Sequence, residues 1–404
     1  MVVVRRRLPE LSELRELLRP APFQLGGLER AASIADLRRL AMRRAPRAVF
    51  DYTDGAAGVG ELALRRARDL FNRLEFHPSV LTDVSKVSTE TMILGRPSAQ
   101  PFALGPTGFT RMMHTEGERA VVRVAQREGI PYALSTMGTT TIEEMAAEGP
   151  AARKWFQLYL WRDRTPAADL LARASSAGYD TLMITLDTPV AGARLRDVRN
   201  GLTIPPQLTL RTFADGAMHP RWWFDLVTTE PLRFANMSSS GGTPGQLIDR
   251  MFDPSATMVD LEWLRATWRG SLVAKGVQTV ADAKRVAYAG VDAVLLSNHG
   301  GRQLDRAPVP LELVAPVREA LDDRVEVLVD TGITTGADVV AALAMGAGAA
   351  LVGRAYLYGL MAGGERGVAR AVRILADEVA RTMALLGVTK VEDLRPHHVS
   401  VRPR

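Results

Sequence analysis

The chain has 404 residues, 47% of them hydrophobic, which is enough to bury the core of one large domain or two ordinary ones. It contains no cysteine, which excludes disulfides, thiolate metal sites and a cysteine nucleophile, and no metal site is predicted. The net charge of +6 is spread over segments in which basic and acidic residues are interleaved, and no zinc-finger or RNA-binding signature accompanies it. We therefore expect no nucleic-acid partner.

Residues 1–100 are predicted to form a helical segment that covers a following domain. Ser33 has the side chain of a helix N-cap and predicts a helix over residues 34–40, which leads to Phe-Asp-Tyr-Thr-Asp-Gly at 50–55. The first residues lack the apolar core of a signal peptide, and no apolar stretch of about 18 uncharged residues follows. We therefore expect a cytoplasmic protein without a membrane span.

Between residues 101 and 385, short apolar runs alternate with segments of helical period, which is typical of repeated βα units and a parallel sheet. Eight strands are predicted, at residues 101–105, 131–135, 155–159, 181–186, 271–275, 292–297, 325–330 and 349–353. Helices are predicted between most of them, at residues 116–127, 142–147, 167–177, 280–289, 311–320 and 337–345. This alternation predicts a (β/α)8 TIM barrel of the α/β class, followed by a C-terminal tail at 386–404.

A long insertion, residues 195–260, separates the fourth and fifth predicted strands. Connections of this length are usually lids or binding loops. Its central part, residues 205–255, contains Trp222-Trp223-Phe224 with arginines nearby. A peripheral contact with the inner face of a membrane is one hypothesis for this part.

Polar residues collect where the predicted strands end. In barrel enzymes the loops that follow the strands carry the active site. One polar residue at a strand end is ordinary, but polar residues at all eight ends predict a single functional site. They are Thr107, Ser135, Thr136, Gln157, Tyr159, Thr185, Asp187, Lys275, Ser297, Asn298, His299, Asp330 and Arg354.

His299 is the predicted catalytic base. It follows an apolar run and lies in Ser-Asn-His-Gly-Gly-Arg-Gln-Leu-Asp at 297–305, where two glycines let the backbone approach a ligand. A neutral histidine accepts a proton from a hydroxyl group, as the oxidation of an alcohol requires. The other five histidines lack such a setting and are interpreted as structural or exposed.

Arginines near these strand ends predict an acidic substrate, because the planar guanidinium matches a carboxylate. Arg302 and Arg194 are the predicted pair. Arg196 and Arg199 lie close to Arg194 in the sequence, and the residues alone do not choose among the three.

Lys275 ends an apolar strand in a chain with only five lysines among its 51 basic residues. It fits either a Schiff base, as in barrel aldolases, or a positive charge beside a reduced flavin ring. The loops after the seventh and eighth strands contain Asp330-Thr331-Gly332 and Gly353-Arg354. In barrels these two loops often form a phosphate site, so they predict a cofactor with a phosphate group.

The sequence at 297–305 resembles the active-site signature of the FMN-dependent 2-hydroxy-acid dehydrogenases and oxidases, which include glycolate oxidase, L-lactate dehydrogenase and mandelate dehydrogenase. The likeness extends through 50–52, 106–108, 156–159, 185–189 and 353–354, and is strongest to bacterial L-lactate dehydrogenases that use no nicotinamide. It implies FMN as the cofactor, a small L-2-hydroxy acid as the substrate, with L-lactate favoured, and a homotetramer. A quinone, a cytochrome or O2 is implied as the electron acceptor.

The resemblance also implies a role for each matching residue. His299 is the base, held by Asp187, and Tyr159 faces the substrate oxygen. Arg194 and Arg302 bind the carboxylate with help from Tyr52. Lys275 lies beside the flavin N1 and O2 edge, which removes the Schiff-base alternative. The other cofactor contacts are assigned to Pro106, Thr107, Gly108, Ser135, Gln157, Thr185, Ser297, Asp330, Gly332, Gly353 and Arg354.

Three positions depart from the family's pattern. Thr334 stands where the family usually has an arginine on the flavin phosphate, which leaves more of that contact to Arg354 and backbone amides. Met137 replaces a bulky aromatic residue of glycolate oxidases and favours lactate or a larger acid over glycolate. Ala193 precedes Arg194, so that one arginine stands where the family has two.

Two alternatives stay open at this point. One is an FMN barrel oxidase that acts on a longer 2-hydroxy acid or a peptide-derived amine, although Arg302 favours a free carboxylate. The other is a flavin-binding protein without turnover, against which the complete set of polar site residues argues.

Overall fold

The computed structural model describes residues 10, 27–201, 215–240, 252–321 and 323–403. Of the central part of the predicted insertion, residues 205–255, the structure describes 215–240 and 252–255, and residues 205–214 and 241–251 lie outside the described residues.

Within residues 27–100, three helices and three short strands precede the barrel. The helices are α1 (Ile34–Arg44), α2 (Arg47–Asp54) and α3 (Leu62–Phe71), and the strands are β1 (Leu74–Phe76), β2 (Thr91–Ile93) and β3 (Arg96–Ser98). Ser33 caps α1 as expected, because its hydroxyl accepts a hydrogen bond from Asp36 N while the Asp36 carboxylate accepts one from Ser33 N.

Eight parallel strands close into a barrel, which confirms the predicted fold. Their residues are buried on both faces, since one face fills the barrel interior and the other packs under helices. Pairing of Val352 with Leu104 joins the last strand to the first. The strands are β4 (Phe102–Leu104), β5 (Tyr132–Ser135), β6 (Lys154–Leu158), β7 (Thr181–Thr185), β8 (Ser271–Val277), β9 (Ala293–Leu296), β10 (Glu326–Val329) and β11 (Ala349–Val352).

The remaining helices lie in the connections and after the last barrel strand. They are α4 (Thr110–Met113), α5 (Gly117–Arg127), α6 (Ile142–Glu148), α7 (Arg164–Ser176), α8 (Leu195–Arg199), α9 (Pro220–Thr228), α10 (Met258–Thr267), α11 (Val280–Tyr288), α12 (Pro310–Ala320), α13 (Gly336–Ala344) and α14 (Arg354–Leu386). Helix α14 is kinked at Gly363 and Gly364. No helix in the described ranges combines the length and the hydropathy that a membrane span requires.

The hairpin β2–β3 closes the end of the barrel opposite the predicted site. Ile93 packs into the interior layer of the barrel with Trp155 and Leu351, and Leu94 N donates to the Glu326 carboxylate at 2.7 Å. The last strand, β12 (Val399–Val401), pairs antiparallel with β1 and ties the C-terminal residues to the N-terminal segment. Only helices are predicted before the barrel, because strands of three residues show no measurable periodicity.

Candidate active site

A cavity of about 750 Å³ lies at the carboxyl ends of the barrel strands, under α1, α2 and α3. Six of the predicted site residues do not line it: Thr136, Gln157, Thr185, Asp187, Ser297 and Asn298. The others do, and they are Tyr52, Pro106, Thr107, Gly108, Ser135, Met137, Tyr159, Arg194, Lys275, His299, Arg302, Asp330, Gly332, Gly353 and Arg354. The barrel thus brings together residues that lie up to about 300 positions apart in the chain.

His299 follows β9 and begins a short 3-10 turn, His299–Gly301. Its φ of 60° is a conformation that residues with a side chain seldom adopt and that often marks functional sites. Its Nδ1 lies 3.1 Å from Asp187 Oδ1. A proton on Nδ1 donated to this carboxylate leaves Nε2 as the free acceptor, which is the arrangement that a catalytic base needs.

The charges around His299 favour its neutral form. Burial lowers the pKa of His299 below its ordinary value of 6.5, and the ammonium of Lys275 lowers it further, against the opposing effect of Asp187. Burial acts to raise the pKa of Asp187, but the charges of His299 and Lys275 outweigh burial and lower it. Near neutral pH the pair is therefore a neutral imidazole beside an ionised carboxylate.

The two polar residues before His299 hold its turn in place. Asn298 Oδ1 accepts hydrogen bonds from Gly301 N at 2.9 Å and from Thr331 Oγ1 at 3.0 Å. Ser297 Oγ accepts from His299 N at 3.0 Å and from Lys275 Nζ at 3.3 Å. Ser297, predicted as a cofactor contact, therefore lies behind the cavity wall and orients two residues that line it.

Two arginines converge on the ring of Tyr52. The guanidinium carbons of Arg194 and Arg302 lie 5.4 and 4.9 Å from the ring centroid. Arg302 Nη1 donates to the carbonyls of Tyr52 and Gly55 at 2.5 and 3.2 Å, which fixes it to the end of α2. Burial and the charge of Arg194 lower the pKa of Arg302 to about 10. Two guanidinium groups that share one ring as neighbour favour a bound anion between them.

The arginines at the start of the insertion differ in their partners. Arg196 donates to Asp54 Oδ2 at 3.0 Å and to the Glu61 carboxylate, so that its charge is balanced by α2 and by the residue before α3. Arg194 instead packs on Tyr52 and lies 3.4 Å from Asp197 Oδ2. This geometry favours Arg194 over Arg196 as the second cation for a carboxylate.

The substrate end of the cavity has an apolar wall. Tyr159 contacts Phe252 edge to face, with ring centroids 5.5 Å apart, and Met137 and Ala191 line the same cavity. Burial raises the pKa of Tyr159, so its hydroxyl stays protonated and can donate a hydrogen bond. Phe252 was not predicted, because nothing in its local sequence distinguishes it from an ordinary core residue.

Hydrogen bonds link three strand ends beneath the cavity. Ser135 Oγ donates to Gln157 Oε1 at 2.8 Å, and Gln157 Nε2 donates to Thr185 Oγ1 at 2.9 Å. Thr107 is hydrogen-bonded to the Tyr356 hydroxyl at 2.6 Å. Ser135 and Thr107 line the cavity, whereas Gln157 and Thr185 lie behind Ser135 and support it.

The loops after β10 and β11 border the other end of the cavity through Asp330, Gly332 and Gly353. Arg354 follows them, but its Nε donates to Thr53 O at 3.0 Å and its Nη2 donates to the carbonyls of Gly55 and Gly300. Much of its guanidinium therefore ties the N-terminal segment to the His299 turn. The prediction made Arg354 a main phosphate contact and missed this second task, since its partners lie far away in the sequence.

These features fit FMN. The cavity is much larger than a small acid requires and lies in the range of cofactor-sized sites. One buried cation, Lys275, lies next to His299. At the other end the cavity is lined by Gly332, Gly353 and Arg354. A Cβ at Gly353 would meet no atom within 4 Å, so this backbone borders open space.

The last residues of the predicted signature join the parts of the site. Gln303 Oε1 accepts from Gly192 N at 3.0 Å, and its Nε2 donates to the carbonyls of Asp187 and Val190 at 3.1 and 2.9 Å. Asp305 accepts a hydrogen bond from Ala63 N at the start of α3. Gln303 and Asp305 belong to the signature at 297–305, but the sequence alone predicts no role for them.

The barrel and its cavity, with a histidine paired to a carboxylate, two arginines against one tyrosine ring and room for a flavin, fit an oxidoreductase of the barrel class. Comparison with known proteins gives the same class: the family described as FMN-dependent dehydrogenase matches residues 41–401. The chain belongs to this family, and its cofactor is FMN.

Relatives support this assignment over nearly the whole chain. A putative L-lactate dehydrogenase of Mycobacterium tuberculosis is 55% identical over 403 residues, 99% of this chain and 97% of that protein. The (S)-mandelate dehydrogenase of Pseudomonas putida is 38% identical over 91% of this chain and 93% of its own. The crystal structure of the monotopic membrane protein (S)-mandelate dehydrogenase superposes with a TM-score of 0.88, at 37% identity, over 92% of this chain and 99% of that one.

Proposed function

We propose that this protein oxidises an L-2-hydroxy acid to the 2-oxo acid, with L-lactate as its substrate. The observation that carries the proposal is a neutral histidine backed by a buried carboxylate, in one cavity with two arginines that have a common aromatic neighbour. Proteins named L-lactate dehydrogenase among the relatives support lactate.

Binding of the acid is assigned to the arginine pair. Arg302 and Arg194 bind the carboxylate, and the Tyr52 ring holds both guanidinium groups in place. Because the carboxylate is fixed, the hydroxyl and the hydrogen on C2 take one orientation in the cavity. Met137 and Phe252 then border the substituent on C2, which is a methyl group in lactate.

Proton removal is assigned to His299. Its Nε2 accepts the proton of the substrate hydroxyl, and the imidazolium that forms is stabilised by Asp187. Tyr159 donates a hydrogen bond to the substrate oxygen. FMN, when bound, supplies the acceptor for the two electrons that leave the substrate. The ammonium of Lys275 adds a positive charge close to His299 and at the cavity wall.

Purification and anaerobic titration test the proposal. The purified protein is expected to be yellow, and L-lactate is expected to bleach its flavin absorbance completely with formation of one pyruvate per flavin. Glycolate, (S)-mandelate and D-lactate serve as the comparison set. The proposal is contradicted if D-lactate but not L-lactate bleaches the flavin, or if none of these acids does. If (S)-mandelate bleaches it faster than L-lactate, the substrate is an aryl acid and not lactate.

The pKa directions predict a bell-shaped pH profile for kcat/KM. His299 accepts a proton only when neutral, so kcat/KM rises with pH through a value below 6.5. Arg302 binds a carboxylate only when protonated, so kcat/KM falls as pH rises through about 10. In the pH profile of kcat, the alkaline limb is expected at higher pH than in the profile of kcat/KM, because the bound carboxylate stabilises the charged guanidinium of Arg302. A steady-state profile checks both limbs, and constant kcat/KM across the alkaline range contradicts the role of Arg302.

Three further assignments complete the proposal. The electrons leave FMN for a quinone, a cytochrome or O2, and the subunits assemble as a homotetramer, both of which are supported by the resemblance alone. We place the protein in the cytoplasm, at the inner face of the membrane. A monotopic membrane relative supports this location, as do the exposed Met218, Phe224 and Val227 on and just before α9. Trp222 contributes less to such a contact, since its Nε1 donates to Met112 O.

A further inference from the structure

The end of the cavity at the loops after β10 and β11, here called the phosphate end, has an unusual set of cations. Thr334 and Thr335, in the loop after β10, carry no charge. A phosphate monoester carries close to two negative charges at neutral pH and is bound in most proteins by arginine or by free backbone amides. The arginines that border this end are Arg65 and Arg68 of α3, and Arg354 of α14.

Two backbone amides of the loop after β10 are already bonded. Thr334 N and Thr335 N both donate to Asp338 Oδ2, at 2.8 and 3.0 Å. Arg354 is also largely committed, because its Nε and Nη2 donate to three carbonyls. These two amides and most of the Arg354 guanidinium are therefore unavailable to a phosphate at this end.

Arg68 lies directly against this loop. Its Nη1 donates to Gly332 O and to Asp338 Oδ2, the latter at 2.7 Å. Its Nε and Nη2 have no hydrogen-bond partner within the described part of the chain, and its side chain is 30% exposed along the cavity. Helix α3 is held there by packing, since a Cβ at Gly332 would approach Ala67 and Phe71 to 3.1 Å.

We propose that Arg68 binds the phosphate group of FMN and replaces the charge that Thr334 does not provide. The bonds to Gly332 and Asp338 occupy Nη1 and leave the Nε–Nη2 edge of the guanidinium free, and the stacking of Arg68 on Phe71, at 5.4 Å, fixes its plane. A helix that precedes the barrel in sequence thereby takes part in cofactor binding. The proposal depends on FMN as the cofactor and not on the identity of the hydroxy acid.

The test compares FMN with riboflavin, which has the same ring and ribityl chain but no phosphate. The full-length protein is stripped of flavin, and both dissociation constants are measured by quenching of flavin fluorescence. Arg68→Gln is expected to weaken FMN about 10- to 100-fold, the effect of losing one charged hydrogen bond, and to leave riboflavin unchanged. Arg66→Gln is the matched control, because Arg66 is exposed on the same helix and does not line the cavity.

Two more variants separate phosphate binding from a purely structural role. Arg68→Lys keeps the charge and is expected to retain most of the preference for FMN over riboflavin. This variant also tests the proposal if Arg68→Gln does not fold. Thr334→Arg combined with Arg68→Gln is expected to restore that preference. Equal weakening of FMN and riboflavin by Arg68→Gln, or unchanged FMN binding, overturns the proposal. If the wild-type protein binds no flavin, the assignment of FMN as its cofactor is wrong, and the proposed oxidation of lactate loses its support as well.

Discussion

Replacement of His299 by asparagine is expected to lower kcat/KM for L-lactate by a factor of about 10²–10⁴ while FMN stays bound. Asparagine is chosen because it tolerates positive φ better than most residues, and the backbone at this position has a φ of 60°. It removes the side chain that is assigned to accept the hydroxyl proton. The measurement is the second-order rate constant of anaerobic flavin bleaching at L-lactate concentrations well below saturation, with the flavin content of each preparation determined first.

The control for this prediction is His77→Asn. His77 bonds to Ser400 near the pairing of β1 with β12, and it does not line the cavity. The rate of bleaching is expected to stay at the wild-type value in this variant. A wild-type rate in His299→Asn would show that the proton leaves by another route, and loss of FMN from that variant would show a structural role instead.

Replacement of Arg302 by alanine is expected to raise KM for L-lactate by a factor of about 30 to several thousand. Removing one partner of a buried, hydrogen-bonded charge pair costs about 2–5 kcal/mol, and that range gives this factor. Arg302→Lys is expected to recover only part of the loss, because an ammonium cannot match a carboxylate in two parallel hydrogen bonds. Steady-state kinetics give KM, and added guanidinium ion is expected to rescue the alanine variant in part.

A second substrate separates loss of charge from loss of structure in this variant. Arg302 also donates to the carbonyls of Tyr52 and Gly55, so its removal loosens the end of α2. Lactamide has the hydroxyl of lactate but no negative charge. The wild-type protein is expected to prefer lactate strongly, and Arg302→Ala is expected to lose most of this preference. If the preference for lactate is unchanged, Arg302 does not bind the carboxylate.

The sequence alone placed the barrel strands correctly within a few residues. Each strand is a run buried on both faces, and that composition differs from the helices that alternate with it. Once the strands were placed, the rule that barrel sites lie at strand ends put His299, Asp187 and Lys275 among the candidate residues, and the family resemblance then implied their roles. Their distances, including 3.1 Å between His299 and Asp187, follow from the parallel order of β7, β8 and β9.

Roles outside the strand ends were harder to predict. The hairpin β2–β3 is too short for its periodicity to be recognised, although it closes one end of the barrel. Phe252 and Arg68 look like an ordinary core residue and an ordinary surface residue of a helix. Their importance depends on Tyr159 and Asp338, which lie 93 and 270 positions away in the chain.

His299 illustrates the division between what the sequence determined and what the fold decided. The sequence determined its chemistry, because a histidine between an apolar strand and two glycines already predicts a base near a ligand. It also determined the class of barrel and an acid substrate. Only the tertiary structure decided which arginine stacks on Tyr52, which backbone amides are already bonded and which helix covers the phosphate end. Local patterns record the periodicity of neighbouring residues, whereas these contacts join segments that meet only when the barrel closes.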